Sequence, residues 1–178
     1  LTDQKGIDLV EVCIPDFIAG GGGLAILCSC DAFLEAAMRR LEARFPGRIS
    51  VRIGYDEAYS HRLFAAGDAV LVPSRFEPCG LTQMYGLAYG TVPLVSSVGG
   101  LADTVIHASP AALTAGVATG IVFHPVDATG FGLALRQLLQ LYAHKSQWAQ
   151  VQKNAMKQPV GWQASAAAYA ALYEDMLA

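Results

Sequence analysis

Charge is scarce in this sequence. Asp, Glu, Lys and Arg make up 15% of its 178 residues and leave a net charge of −3. The 12 Lys and Arg are scattered, so the basic footprint that nucleic acid requires is missing. Long hydrophobic runs are missing too. Apolar residues reach 53%, but Gly and Pro interrupt them throughout. No stretch approaches the roughly 18–20 apolar residues of a membrane span. The opening ten residues contain Asp3, Lys5 and Asp8 and no apolar centre, so they do not read as a signal peptide. Metal-ligand spacing is also absent. Cys28 and Cys30 alternate on an apparent strand end with no second Cys or His pair at a useful distance, and His107, His124 and His144 have no partners. With Cys13 and Cys79, these cysteines read as small apolar residues of a reducing cytoplasm, where the protein is expected to reside. Neither a Gly-x-x-x-x-Gly-Lys phosphate loop nor a Gly-x-Ser-x-Gly elbow occurs. No metal and no cofactor is expected. An anionic small molecule stays open as a ligand, because local cations and helix N-termini bind phosphate even in an acidic protein.

What is present is alternation. Short apolar runs at 24–27, 49–53, 68–72, 92–95 and 120–123 read as strands. Helical spacing appears at 31–44, with Asp31 as cap and Pro46-Gly47 as stop, and at 57–66, 81–88, 131–143, 147–156 and 162–177. Val10, Ile14 and Phe17 mark an earlier helix whose middle Pro15 should disturb. Strands alternating with helices predict an α/β domain, a Rossmann-like parallel sheet with helices on both faces. No strand precedes the first helix, so the chain is expected to begin inside its first βα unit, as a fragment.

In such sheets ligands bind beyond the carboxyl ends of the strands. The loop 73–83, Pro-Ser-Arg-Phe-Glu-Pro-Cys-Gly-Leu-Thr-Gln, leaves a strand and enters a helix. Gly80 permits close backbone approach, and the N–H groups of Gly80, Leu81 and Thr82 would point at an anion, aided by the helix dipole. Glu77, just before that helix, is either a carboxylate facing the rest of a phosphorylated ligand or a solvated acid. Gly99-Gly100 could also bring N–H groups to a ligand, or be a plain turn. Tyr55, after the second strand, could stack on a base or simply pack. Lys5 could reach a phosphate as a point charge or remain solvated. His61 and Arg62 are expected on a helix surface, and residues 20–23 as a flexible turn.

The run 68–95, Asp-Ala-Val-Leu-Val-Pro-Ser-Arg-Phe-Glu-Pro-Cys-Gly-Leu-Thr-Gln-Met-Tyr-Gly-Leu-Ala-Tyr-Gly-Thr-Val-Pro-Leu-Val, closely resembles the ADP-glucose-dependent glycogen and starch synthases. So do Asp3-Gln-Lys-Gly-Ile-Asp-Leu9, Gly54-Tyr-Asp-Glu-Ala-Tyr-Ser-His61 and Gly99-Gly-Leu-Ala-Asp-Thr-Val105. The resemblance covers essentially the whole chain. It implies one half of a two-domain B-type glycosyltransferase (GT-B), the half that holds the nucleotide sugar. By resemblance, Lys5 contacts the diphosphate, Tyr55 lies against adenine, and Gly80, Leu81 and Thr82 donate to phosphate. Glu77 faces the transferred glucose with Cys79 beside it. Glucose would pass from ADP-glucose to the non-reducing end of an α-1,4-glucan with retained configuration and without a divalent metal.

The same resemblance implies missing parts: the first strand, an arginine upstream of Lys5, and the N-terminal domain with its acceptor-binding residues. That domain would be a partner within the same enzyme, and the helix 162–177 would pack on it. Cys28-Ser-Cys-Asp31 stands where the family has Gly-x-Gly-Asp, so two side chains could crowd the loop or ligand. A UDP-glucose-dependent relative, such as a sucrose synthase, and a non-catalytic half-domain that binds nucleotide or glucan are the alternatives. In a plant the compartment would be the plastid.

Overall fold

A computed structural model of the chain describes residues 3–29 and 31–177. After a single 3-10 turn, Asp3–Lys5, the left-handed Gly6 (φ 67°) starts helix α1, Ile7–Ala19. Pro15 stands inside α1 without ending it. It removes one backbone hydrogen bond, but Ile14 and Ile18 on either side are buried and hold the helix through. Strand β1, Leu24–Cys28, leads to α2, Ala32–Arg44. As expected, Asp31 caps α2, its carboxylate accepting from the N–H groups of Phe33 and Leu34, each at 3.0 Å. Next come β2, Ile49–Ile53, and α3, Glu57–Ala66, capped by Asp56. β3, Ala69–Val72, is followed by α4, Thr82–Tyr89, which ends at the left-handed Gly90. β4, Val92–Ser96, follows, then two short helices, α5, Gly99–Thr104, and α6, Pro110–Thr114. β5, Ile121–Phe123, is followed by α7, Ala128–Ala143, α8, Lys145–Met156, and α9, Gln163–Leu177.

The short helices α5 and α6 are not foreseen from sequence. Two consecutive glycines argue against a helix at α5, and only the packing described below explains it. At α6 the signal was present, since Ser109 caps the helix and Pro110 opens it.

Every strand pair is parallel. β1 pairs with β2 from Leu24↔Ile49 to Cys28↔Ile53, and β3–β4–β5 runs in register through Leu71↔Leu94↔Ile121. The parallel, helix-covered arrangement is the one expected; it forms two hydrogen-bonded ladders, and among the described residues β1 does not pair with β3. Side-chain alternation separates the two faces. Leu71, Leu94, Ile121 and Phe123 join the larger core with α1, α2, α7 and α8, whereas Val72 and Val95 meet Leu101 and Val105 on the other side. The sheet is thus covered on both faces, and β4 is buried along its whole length.

Cys13 belongs to the larger core. Burial raises its thiol above the usual value, and its Sγ lies 3.3 Å from the Ala128 carbonyl. α9 is different: Trp162 just before it and Tyr169, Leu172, Tyr173 and Met176 along it are all exposed.

Phe131 anchors the larger core. It is fully buried, with its ring 5.4 Å from that of Phe123. Phe131→Ala should cost about 3–5 kcal/mol. A urea titration should show a lower midpoint with an unchanged slope. An unchanged midpoint would mean that the packing around Phe131 is not as described.

Candidate functional site

The segment Asp3–Asp8 is clamped against the exit of β3. A Cβ on Gly6 would stand 2.1 Å from the Pro73 carbonyl oxygen, so only glycine allows this approach. The Arg75 N–H donates to the Gln4 carbonyl at 2.8 Å, and Gln4 Nε2 donates to the Phe76 carbonyl at 3.2 Å. The Arg75 guanidinium grips Asp8 with two bonds of 2.7 and 2.6 Å. Those hydrogen bonds, more than the charge alone, hold the Asp8 carboxyl below its usual range against the opposing effect of burial.

This clamp delivers Lys5 to Glu77, Nζ to Oε2 at 2.5 Å. Glu77 Oε2 also accepts from Ser74 Oγ at 3.3 Å. Ser74 is buried, and its carbonyl accepts from the hydroxyl of Ser96 at the end of β4. From below, the Gly100 N–H donates to the carbonyls of Glu77 (3.1 Å) and Pro78 (3.3 Å). A Cβ on Gly99 would lie 2.3 Å from the Glu77 carbonyl oxygen, and one on Gly100 would lie 2.3 Å from that of Cys79. The two glycines therefore bear the loop. The alternative in which Gly100 offers its N–H to a ligand is overturned, because that N–H is already bonded.

The loop then turns through Gly80 (φ 72°) into α4. The fully buried Gln83 fixes this turn, Nε2 donating to the carbonyls of Cys79 (2.9 Å) and Gly80 (2.8 Å). Among the described residues, no acceptor is paired with the N–H groups of Gly80, Leu81 or Thr82. Leu81 and Thr82 are exposed. A helix N-terminus with free N–H groups and its positive dipole end is suited to an anion.

Lys5, Tyr55, Glu77 and Thr82 line a common cavity of about 1110 Å³; Cys79, Gly80 and Leu81 stand between Glu77 and Thr82 in the chain and are not among its lining residues. Tyr55 is 86% exposed and so open to a stacking partner. The Cys79 thiol is exposed and makes only a weak 3.9 Å contact with the Gly80 carbonyl. Cys28 is buried at the end of β1, and its carbonyl accepts from the Gly54 N–H at 2.8 Å. Its side chain is buried and does not line the cavity. Cys30 lies outside the described residues. His61 is not simply solvated either: its Nδ1 is 2.9 Å from the Tyr89 hydroxyl, within a cluster that includes Phe64 and Tyr85. The turn at 20–23 is tied down, with the Arg48 guanidinium donating to the carbonyls of Gly21 and Gly22. Gly6, Asp8, Ser74, Arg75, Gln83, Ser96 and the supporting role of Gly99 and Gly100 were missed from sequence, since all depend on contacts between distant segments.

Comparison with known proteins gives a consistent result. The family described as "Glycosyl transferases group 1" matches residues 46–157. The glycogen synthase of Cereibacter sphaeroides is 67% identical over 178 residues, covering 100% of this chain and 37% of that protein. The glycogen synthase of Paracoccus denitrificans is 57% identical, covering 100% of this chain and 38% of that protein. The chain thus spans little more than a third of the length of the curated relatives it matches. Among solved structures, the catalytic domain of Starch Synthase IV from Arabidopsis thaliana, bound to ADP and acarbose, superposes with a TM-score of 0.87 at 31% identity, covering 98% of this chain and 36% of that one.

The Asp8–Arg75 clamp has a pH signature. Because the folded pKa of Asp8 is depressed, its contribution is complete above the unfolded value of about 3.9 and is lost as pH falls through the lower folded value. Both side chains are partly exposed, so Asp8→Asn should cost only about 0.2–1 kcal/mol at pH 7. Denaturation midpoints of the two proteins should converge below about pH 4. A gap that persists undiminished at lower pH would contradict this role for Asp8.

Proposed function

Because this chain belongs to the group 1 glycosyl transferases, we propose that it is the nucleotide-sugar-binding half of a retaining glucosyltransferase of the glycogen and starch synthase kind. The enzyme transfers glucose from ADP-glucose to the non-reducing end of an α-1,4-glucan. The observation that carries this reading is the convergence of the unpaired N–H groups of Gly80, Leu81 and Thr82 with the Lys5–Glu77 pair beside one cavity.

The chemistry follows from that convergence. Phosphate oxygens of the nucleotide sugar take the N–H groups at the start of α4, and the helix dipole adds to the attraction. Lys5, now paired with Glu77, turns to the arriving diphosphate, whose charge exceeds that of one carboxylate. This exchange frees Glu77 for the glucose. As the bond from the anomeric carbon to the phosphate oxygen breaks, its electron pair leaves on ADP. The N–H groups and Lys5 stabilise that growing negative charge, and the Glu77 carboxylate stabilises the positive sugar. The acceptor hydroxyl then bonds to the same face of the anomeric carbon and passes its proton to the departing phosphate oxygen of ADP. Cys79 flanks the sugar, and Tyr55 stacks on adenine. The ADP bound to Starch Synthase IV supports this choice of base.

Acceptor binding belongs to an N-terminal domain of the same enzyme. The exposed Trp162, Tyr169, Leu172, Tyr173 and Met176 form the face that packs on that domain, each large side chain worth roughly 1.5–3 kcal/mol when buried. A cytoplasmic setting is part of the same proposal. No helix among the described residues is long and apolar enough to cross a membrane.

Two measurements test this reading. Calorimetric titration of the folded protein with ADP should show binding in the presence of EDTA, with UDP weaker; no ADP binding at millimolar concentration would count against the site. In the full-length enzyme, Glu77→Ala should lower turnover by on the order of 10²–10³ while ADP affinity changes little. Near-normal turnover would remove Glu77 from the chemistry.

A further inference from the structure

Among the described residues, β2 is laddered only with β1, and β5 only with β4. In a parallel ladder, alternate residues of a strand bond to the same neighbour. The Leu24 N–H donates to the Arg48 carbonyl and the Gly54 N–H to the Cys28 carbonyl, so the even-numbered residues of β2 serve β1. The peptide groups of Ile49 and Val51 therefore turn outward. The Ser97 N–H donates to the Phe123 carbonyl, so Ile121 and Phe123 serve β4 and Val122 turns outward. An outward row of this kind is a template for a further strand. β2 is well suited to pairing, with β-branched Ile49, Val51 and Ile53, and its Ser50 and Arg52 are exposed.

Neither row is open. On β2, the Ile49 N–H donates to the Phe45 carbonyl at 3.1 Å, at the end of α2. The Val51 N–H donates to Glu42 Oε1 at 2.8 Å, and the Val51 carbonyl accepts from Arg39 Nη1 at 3.1 Å. Arg39 Nη1 also donates to Glu42 Oε2 at 3.2 Å. Two side chains one turn apart on α2 thus offer Val51 an acceptor and a donor, as the peptide groups of a neighbouring strand would. The Val51 N–H, ahead of Arg39, holds the Glu42 carboxyl below its usual range. A strand arriving at this edge would have to part the ion pair and cover its charges, which is costly.

On β5 the cover begins as a true strand and is finished by a side chain. The Gly120 N–H donates to the Ile106 carbonyl at 3.2 Å, and the Gly120 carbonyl accepts from the Ala108 N–H at 2.8 Å, a single parallel bridge between His107 and Gly120. The next ladder step would join the Val122 N–H to the Ala108 carbonyl and the Val122 carbonyl to an N–H at position 110. Position 110 is proline, which has none, and the Ala108 carbonyl is taken by Gln137 Nε2 at 2.9 Å. His107 fills the gap, its Nδ1 accepting from the Val122 N–H at 3.0 Å. Nδ1 can do so only without a proton, and burial, which pushes the His107 pKa down, favours the neutral ring.

We infer that the Arg39–Glu42 pair and His107 stand in for neighbouring strands and shut the outer edges of β2 and β5 against strand addition by a second copy of this chain. Two copies of β2 meeting edge to edge would pair antiparallel about a two-fold axis, and the ion pair denies that contact. The closure is independent of which nucleotide the site binds.

Hydrogen exchange and sedimentation of the full-length enzyme test this. In the unaltered enzyme the amides of Val51 and Val122 should exchange as slowly as those of Leu24 and Val92, which bond across β1–β2 and β3–β4. Arg39→Leu with Glu42→Leu should speed exchange at Val51 about 10-fold in dilute solution. The same variant should raise the sedimenting mass above that of the unaltered enzyme as concentration increases. Glu42→Gln, which keeps the acceptor, should do neither. His107→Phe should have the same two effects through Val122, and His107→Asn, which restores an acceptor, should cancel them. Folded Leu and Phe variants that keep the unaltered mass at every concentration would overturn the inference. Fast exchange at Val51 and Val122 in the unaltered enzyme would overturn it too, and that result stands even where a variant fails to fold.

Discussion

The site depends on one close approach, that of Gly6 to the carbonyl of Pro73, where even a methyl group would stand 2.1 Å from oxygen. That contact sets the end of the 3-10 turn against the end of β3. The Arg75–Gln4, Gln4–Phe76 and Arg75–Asp8 bonds then fix it in rotation as well as in distance. Lys5 and Glu77 are 72 residues apart in sequence yet meet directly as a consequence. The pair is partly buried, so neither partner is held by water alone, and a more highly charged ligand can displace one of them. The ion pair keeps the two charges in place and mutually neutral.

In the function proposed above, an acidic, charge-poor chain receives a diphosphate through peptide N–H groups more than through side chains. The structure holds those groups rigidly. Gln83 bonds the turn from beneath, Gly99 and Gly100 let α5 press against the loop, and Ser96 holds Ser74 from the neighbouring strand. Each supporting group acts on backbone, so the loop's shape does not rely on Glu77 itself. Preorganised donors of this kind need little rearrangement as charge develops on a leaving group.

Local patterns were legible in the sequence. The apolar runs of β2 and β4 and the Asp31 cap depend on neighbours within a few residues, and the structure places them within a residue or so of expectation. The candidate residues in the loop were legible as well, because an acid and a glycine before a helix have a local chemical meaning. What stayed hidden depends on distant segments. Gly6 has meaning only beside Pro73, Arg75 only beside Asp8, and Gly99-Gly100 only beneath Cys79. A lone sequence shows such residues as a turn, a solvated cation and a weak motif. The two-ladder sheet was hidden for the same reason, since strand order is not written in any one strand.

The proposed function turns on backbone N–H groups at the start of α4 binding the nucleotide's phosphates. Amide resonances of the ¹⁵N-labelled protein, followed by NMR during titration with ADP in EDTA, test it most directly. Gly80, Leu81 and Thr82 should shift downfield and saturate together, while Gly100, already bonded to Glu77 and Pro78, should move little. Saturable ADP binding that leaves those three amides unmoved would contradict it.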